Sequence, residues 1–484
     1  MKAPSAPESP SRWENLVLLA VLGLYVVLML ATQWRHEPWF DEAQAWLIAR
    51  DVGWWEIISQ SARYEGTPPL WHLLLAIPAK LGLPYGSIHV ISGAVAIATV
   101  ALVLWKSPFP LWLRVVFPFT FFPFYQFAVV ARSYCLLMLA LVLAACLYRE
   151  RQRRPWLWLA VLFFMGLTSV HGFLVAGWLF LDGRWEAWKS SRASAASKLR
   201  EAALPFGIFV LYGLGIVWML VPPADLAFPD PAHPASGWRF NPGNLNHLRY
   251  AFSGSVPLAL VVIAGSLLWF VRRRKFWLYL SPTATILFVC VFKHAAAWHQ
   301  GVLFLFWFFC MWVAFPRAEE RNDPSGKSPR KWDYALGCAL LGVVLLTHLY
   351  WGLQAVRLEW ALHYSSAPQA AQYLRDHPEV RKDLAGTMFM CVAVNPYFEE
   401  NVFSNLDPKD RGHFHWATDT YLRFTPEAIA RERPKHVLFG RKFIHLPSEL
   451  PVDGYELVEE FPGHLIWKDG ILEEDTLLLY RRVD

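Results

Sequence analysis

The chain of 484 residues carries 55% hydrophobic and only 17% charged side chains, with 34 Phe, 26 Trp and a formal net charge of +6. That balance excludes an ordinary water-soluble domain and makes a bilayer the natural solvent. It also argues against nucleic acid as a partner, because the cations sit in short loops between apolar blocks, where they report orientation across a membrane.

The apolar blocks run for about 17 to 21 residues, the length that spans roughly 30 Å of hydrocarbon as a helix. The first, 15–32, runs into Gln33, Trp34 and Arg35 with no small-residue cleavage site, so it reads as an uncleaved helix. Residues 33–86 then form a long loop. Within it, His36-Glu37-Pro38-Trp39-Phe40-Asp41-Glu42-Ala43-Gln44-Ala45-Trp46-Leu47 predicts an amphipathic helix along the membrane surface, with Trp39, Ala43, Trp46 and Leu47 on one stripe. Asp41 and Glu42 fall in its first turn, where the helix dipole favours negative charge. An aspartate there either caps the helix or, placed just outside the bilayer, takes the proton of an acceptor hydroxyl. Position rather than a high pKa would supply most of that effect. Tyr64-Glu65-Gly66-Thr67-Pro68-Pro69-Leu70-Trp71 makes a rigid entry into a second apolar helix, 70–80, too short to span and therefore also interfacial. Glu65 is either a second acidic group of the site or a solvated loop residue.

Further spans are expected at 87–105, 112–128, 132–148, 155–169, 170–183, 202–221, 255–271, 276–292, 298–315 and 333–352, about eleven crossings with the first. Tyr125 to Tyr134 joins two of these blocks, and its Arg132, followed by Ser133 and Tyr134, either snorkels to lipid headgroups or binds a phosphate. Residues 155–183 hold either two short helices meeting at His171 or a single crossing, and the charge distribution favours the two; a lone His there is more simply a packing residue. Lys293-His294-Ala295-Ala296-Ala297-Trp298-His299 is a second polar turn. A charge deep in a helix costs roughly 2.5–3.5 kcal/mol on insertion scales, so this turn either has a binding task or contacts headgroups.

Residues 317–331 read as a polar linker, and from Arg357 onward the composition becomes that of a soluble α/β domain. Ala367 to Asp376 and Pro426 to Arg433 are helix-like, while Thr387 to Val394, His436 to Phe439 and Thr476 to Tyr480 are strand-like. The organisation expected is a transmembrane domain, 1–352, and an extracytoplasmic domain, 353–484. Of the cysteines, Cys135, Cys146, Cys290, Cys310 and Cys338 lie in apolar blocks and Cys391 stands apart, so no disulfide framework follows. Basic clusters at Lys106 with Arg114, Arg149 to Arg154, Arg184 to Arg200, Arg272 to Lys275 and Arg317 to Lys331 fall on the side of the N-terminus, which makes that side cytoplasmic. The first loop, the Arg132 turn, the Lys293 turn and the C-terminal domain then share the opposite face of a cytoplasmic membrane.

An Asp-Glu pair in a long loop after one transmembrane helix, followed by a Pro-Pro-Leu segment, resembles the GT-C glycosyltransferase superfamily, in its protein O-mannosyltransferase and aminoarabinose transferase branch. Ala131-Arg132-Ser133-Tyr134 after an aromatic turn is similar to the same superfamily, which also often places basic residues and histidine where Lys293, His294 and His299 stand. The resemblance covers roughly residues 13–315 and leaves the C-terminal domain without assignment. It departs at Thr67, where related sequences often carry His directly before the Pro pair.

The resemblance implies a mainly α, polytopic bundle, a polyprenyl- or dolichyl-phosphate sugar donor, and a general base at Asp41. The reading that follows is inverting transfer to a glycan, lipid or protein acceptor. Asp41 and Glu42 are its catalytic residues. Glu65, Arg132, Tyr134, Lys293, His294 and His299 bind substrate, and Trp39, Trp46 and Trp298 line a sugar and lipid channel. No ligand spacing of a known metal site is present, so no cofactor is assigned, although Asp41, Glu42, Glu65 and the histidines leave a divalent metal open. Two other readings stand beside this one: a ligase of diphosphate-linked glycans using His294 or His299, and a transporter of lipid-linked sugars. An internal repeat would favour the transporter, and none is visible.

Overall fold

The computed structural model describes residues 11–227, 240–317, 331–406, 411–441 and 448–483. Most of it is helical. The first loop contributes α2 (Phe40–Asp51) and α3 (Leu70–Lys80) after α1 (Arg12–Arg35). The bundle continues with α4 (Ser87–Lys106), α5 (Tyr134–Leu147), α6 (Pro155–Gly166), α7 (Val170–Ser190) and α8 (Ala195–Leu220). It closes with α9 (Val256–Arg272), α10 (Phe276–Phe292), α11 (His299–Ala314) and α12 (Lys331–Ala361). Among the described residues, α1, α4, α8 and α12 are long and apolar enough to cross a membrane, and α3, α6, α9, α10 and α11 are shorter apolar helices.

Polar contacts tie the helix ends into two layers. In one layer Arg114 meets Glu14 at 3.0 Å, Arg272 meets Asp333 at 2.7 Å, and Lys275 donates to the Tyr148 hydroxyl at 3.1 Å. In the other, the His171 and His299 rings lie 4.4 Å apart and Asn244 donates to the Cys290 carbonyl at 2.7 Å. Residues 155–190 form two helices joined by a tight turn. The Ser169 hydroxyl there accepts the Gly172 N–H at 3.0 Å. A Cβ at Gly172 would lie 2.4 Å from the Met165 carbonyl oxygen, so glycine is what lets α7 start so close to the end of α6.

Several boundaries differ from the expected ones. Residues 112–128 are not one α-helix: a short helix, Leu111–Val116, passes through a 3-10 turn, Phe117–Phe119, into a π-helical stretch, Phe122–Val129. Pro118 and Pro123 each remove a backbone donor and break the i to i−4 ladder. Helix α7 runs past 183 to Ser190, and α12 runs past 352 to Ala361, so the expected domain boundary falls inside a helix. The reason is visible in the burial of α12, where His348, Trp351, Gly352, Ala355 and Glu359 form one continuous buried stripe. The expected linker at 317–331 lies, apart from its ends, outside the described residues.

The C-terminal region holds α13 (Ala367–Asp376), α14 (Pro426–Glu432) and strands β1 (Leu384–Thr387), β2 (His436–Arg441), β3 (Tyr455–Phe461), β4 (His464–Trp467), β5 (Gly470–Glu474) and β6 (Thr476–Arg482). A four-stranded sheet has the order β1-β2-β6-β3, with β1 parallel to β2 and the other pairs antiparallel; β4 and β5 form a separate hairpin. The expected strand over Thr387 to Val394 ends at Thr387. Met388 then turns with φ 65°, and Phe389–Tyr397 is a 3-10 helix.

That 3-10 segment packs on α2, which is therefore buried on much more than the single apolar stripe expected of it. Phe40, Glu42 and every residue from there to Ala49 are buried. The rings of Phe40 and Phe389 lie 4.8 Å apart, Gln44 exchanges two hydrogen bonds with the Phe414 backbone at 2.6 and 2.9 Å, and Arg50 donates to the Phe398 carbonyl at 2.8 Å. One continuous apolar core therefore joins the bundle to the C-terminal region, with a second, smaller cluster around Val437, Phe439 and Leu478.

Candidate active site

Asp41 and Glu42 are neighbours in the first turn of α2, and the helix sends them in different directions. Glu42 points inward and is wholly buried. Its carboxylate accepts the Ala131 N–H at 2.7 Å and the Trp39 N–H at 3.3 Å, and lies 3.1 Å from His36 Nε2. The other nitrogen of His36 lies 3.1 Å from Glu359 of α12, and the second oxygen of Glu359 accepts from the Tyr125 hydroxyl. Burial works against a charged imidazole, but the charges of Glu359 and Glu42 outweigh it and hold the His36 pKa up at about 10. Burial likewise opposes the Glu42 carboxylate, and His36 overcomes it, so Glu42 stays below the usual carboxylate range. The result is a buried minus–plus–minus chain that locks the start of α2 to the Arg132 turn and to the end of α12. Glu42 is therefore a positioning residue, with no path to a substrate, and the catalytic role expected for it does not fit its place.

Asp41 turns the other way. Its half-buried carboxylate receives Arg132 Nη2 at 2.7 Å. The Arg132 guanidinium lies over three aromatic rings, at 4.3 Å from Trp298, 5.4 Å from Tyr134 and 5.7 Å from Trp39. This brings together residues from the first loop, the Arg132 turn and the Lys293 turn. Two buried donors at this point, Arg132 Nη1 and Trp39 Nε1, have no acceptor among the described residues. The site can therefore take hydrogen-bond acceptors or negative charge from a ligand.

Glu65 stands at the edge of the same place. It accepts from Gln44 Nε2 at 2.9 Å, and Gln44 is itself clamped by Phe414 of the C-terminal region. Burial pushes the Glu65 pKa up to about 7; the hydrogen bond from Gln44 opposes this and the charge of Asp41 adds to it.

The remaining expected residues do not all converge. Lys293 and His294 are exposed on their turn, and the His294 and His299 rings lie 5.8 Å apart. Trp46 packs against Tyr85 at 5.7 Å in the core and lines no channel. His299 is buried beside His171 and Cys290, and the ligand atoms of these three lie within 4.8 Å of one another, a spacing that could hold a soft metal ion. The hydrogen bonding weighs against it. His299 Nδ1 accepts the Ala296 N–H at 3.0 Å, which puts the proton of the neutral ring on Nε2 and leaves that nitrogen no lone pair for a metal.

Reading the sequence alone gave no role to His36, Gln44 or Glu359. A signal for Glu359 existed, since it continues the spacing of the buried stripe of α12 past the point where the composition turns polar. No family model matches the chain, and neither a curated protein nor a solved structure is similar to it.

Proposed function

We propose that the chain is a membrane glycosyltransferase that moves a sugar from a polyprenyl-phosphate carrier to an acceptor hydroxyl, with inversion, on the extracytoplasmic face. The observation that carries this reading is the Asp41–Arg132 pair, 2.7 Å apart and ringed by Trp39, Tyr134 and Trp298. A lipid-phosphate leaving group needs no proton, only a fixed positive charge, while the acceptor needs a base. In this reading the donor phosphate competes with Asp41 for the guanidinium. Once Arg132 turns to the phosphate, Asp41 is free to take the acceptor proton. The acceptor oxygen then bonds to the anomeric carbon as the bond from that carbon to the phosphate oxygen breaks, and the phosphate leaves with its electron pair, held by Arg132 and by the Trp39 N–H. Trp298 and Tyr134 supply flat faces for the sugar and the guanidinium. Eleven crossings would fit this reading, and the alternation of chain direction between the two polar layers supports it. With Arg114, Arg272 and Lys275 on the layer opposite Asp41, the positive-inside rule makes that layer cytoplasmic.

The test is transfer with a polyprenyl-phosphate sugar and purified protein. Asp41→Asn is expected to lower turnover by about 100-fold or more while leaving donor binding intact, and Arg132→Ala to lose the carrier lipid seen by native mass spectrometry. Turnover at the wild-type rate in Asp41→Asn would sink the assignment.

A further inference from the structure

Besides covering α2, the C-terminal region sends the tip of the β4–β5 hairpin into the bundle. The two strands are joined by a turn of Lys468 and Asp469, between the paired residues Trp467 and Gly470. At the base of the hairpin the His464 N–H donates to the His363 and Tyr364 carbonyls, at 2.9 and 3.1 Å, just past the end of α12. Leu465 and Ile466 are buried, and Lys468 at the tip is only 6% exposed. A lysine at a hairpin tip ordinarily extends into water. Lys468 also has φ 59°, in the left-handed region that favours glycine. A strained backbone with a buried amine persists only where its contacts hold it there, and such positions gather at functional sites.

The contacts are specific. The Lys468 amine donates to the Tyr250 carbonyl at 2.6 Å, at the end of the short helix Asn246–Tyr250, and to Gln300 Oε1 at 2.7 Å, in the first turn of α11. It lies over the Trp351 ring of α12 at 4.1 Å. Beside it the Trp467 ring meets Phe121 and Phe122 edge-on, at 5.1 and 6.0 Å. Both anchors lie on the segments that build the Asp41–Arg132 site. Gln300 sits in the same turn as Trp298, where the Gly301 N–H donates to the Trp298 carbonyl at 3.0 Å, and the Trp298 ring lies 4.3 Å from the Arg132 guanidinium. Phe122 opens the π-helical stretch, Phe122–Val129, that leads into the Arg132 turn. The two segments touch closely: a Cβ at Gly301 would lie 2.5 Å from the Phe127 ring and 2.7 Å from the Phe122 ring.

We propose that Lys468 is a positioning residue for the Asp41–Arg132 site: from the hairpin tip it pins the first turn of α11 against the π-helical stretch and so sets how Trp298 faces Arg132. The C-terminal region then completes the site from within the bundle. Trp467 supplies apolar contact, which is non-directional, while the two hydrogen bonds of Lys468 fix direction. An apolar side chain in place of the lysine would leave the Tyr250 carbonyl and the Gln300 amide without this donor, so the turn would have to shift or take in water. That the site takes a carrier phosphate is the reading proposed above, and only the binding arm of the experiment rests on it.

The experiment compares amide hydrogen exchange, followed by mass spectrometry, in the full-length protein and its variants in detergent. In Lys468→Met, segments 294–304 and 130–136 are expected to exchange about ten-fold faster, the size of one net hydrogen bond, while α4 is unchanged. Gln300→Met removes the same contact from the bundle side and should speed exchange of 464–474 by a similar factor. Val437→Ala loosens the separate sheet cluster and should leave 294–304 at the wild-type rate, which distinguishes positioning from general loosening. The binding arm measures uptake of added polyprenyl phosphate by native mass spectrometry, where Lys468→Met should bind about ten-fold more weakly than the wild type. A wild type that binds no carrier counts against the transferase reading, and the exchange result then decides the role of Lys468. Wild-type exchange at both 294–304 and 130–136 in Lys468→Met, an equal acceleration of 294–304 in Val437→Ala, or carrier binding as tight in Lys468→Met as in the wild type overturns the proposal.

Discussion

At the Asp41 end of the bundle, Glu42, His36 and Glu359 are all buried and each charge meets an opposite one, whereas at the Tyr148 end Arg149, Arg273 and Lys275 border an open pocket with Glu186 as its lining carboxylate. The first arrangement is closed by the C-terminal region, whose Phe389 and Phe414 cover α2; nothing comparable covers the second among the described residues. Burial raises the cost of an unpaired charge, so the closed end uses its charges against one another to fix geometry, while the Asp41 and Arg132 side chains keep part of their surface exposed.

Two substitutions at the closed end separate chemistry from architecture. Asp41→Asn keeps the shape of a half-buried side chain and removes its basicity, so kcat is expected to fall by about 100- to 10,000-fold, measured as sugar transfer, with little change in melting temperature. His36→Ala should do the reverse in its first effect. It leaves two buried carboxylates facing each other with no cation between them, and should cost about 3–5 kcal/mol in denaturant unfolding. If His36→Ala proves as stable as the wild type, the buried chain is not what holds α2, and the contrast between the two ends fails.

How far the sequence announced this can be judged from particular residues. The bounds 87–105, 255–271, 276–292 and 298–315 agree with helices α4, α9, α10 and α11, of which α4 is long and apolar enough to cross a membrane, because each is a local property: an apolar run with polar residues at its ends. Apolarity did not foretell exposure. Every residue of α11 is buried, while of α8 only Ile216 is, although both are strongly apolar. Asp41 and Arg132 were each singled out, and the turn sequences suffice for that. Their contact depends on how the bundle closes, and no local pattern states it. Glu42 is expected as a second catalytic residue, but successive helical residues point about 100° apart, and its partners, His36 and the Ala131 N–H, lie on the inner side. Pro118 and Pro123 mark the break in the sequence itself, and apolar length alone does not show it.

The smallest expected effect at the closed end is also the one that tests its charge state. His36 has a pKa of about 10 in the folded protein against 6.5 for the free side chain, so the folded state holds its proton more tightly. The stabilisation this brings is full below about pH 6.5 and is lost as pH rises through about 10. Glu42, held below its ordinary range, contributes in the opposite sense, with stability lost only as pH falls into the acid region. Other groups titrate in the alkaline window as well. Lys468 of the β4–β5 turn is buried, donates to Gln300 at 2.7 Å and to the Tyr250 carbonyl at 2.6 Å, and burial lowers its pKa to about 7. Its neutral folded form makes stability rise between about pH 7 and 10, against the trend set by His36. The useful quantity is therefore the difference between wild type and His36→Gln, in which Lys468 cancels and the imidazole does not. The wild type should lose its advantage over the variant steadily from pH 7 to 10 in melting experiments. An advantage that stays constant across that range would mean that His36 is neutral between its two glutamates and that the buried chain is held by hydrogen bonds alone.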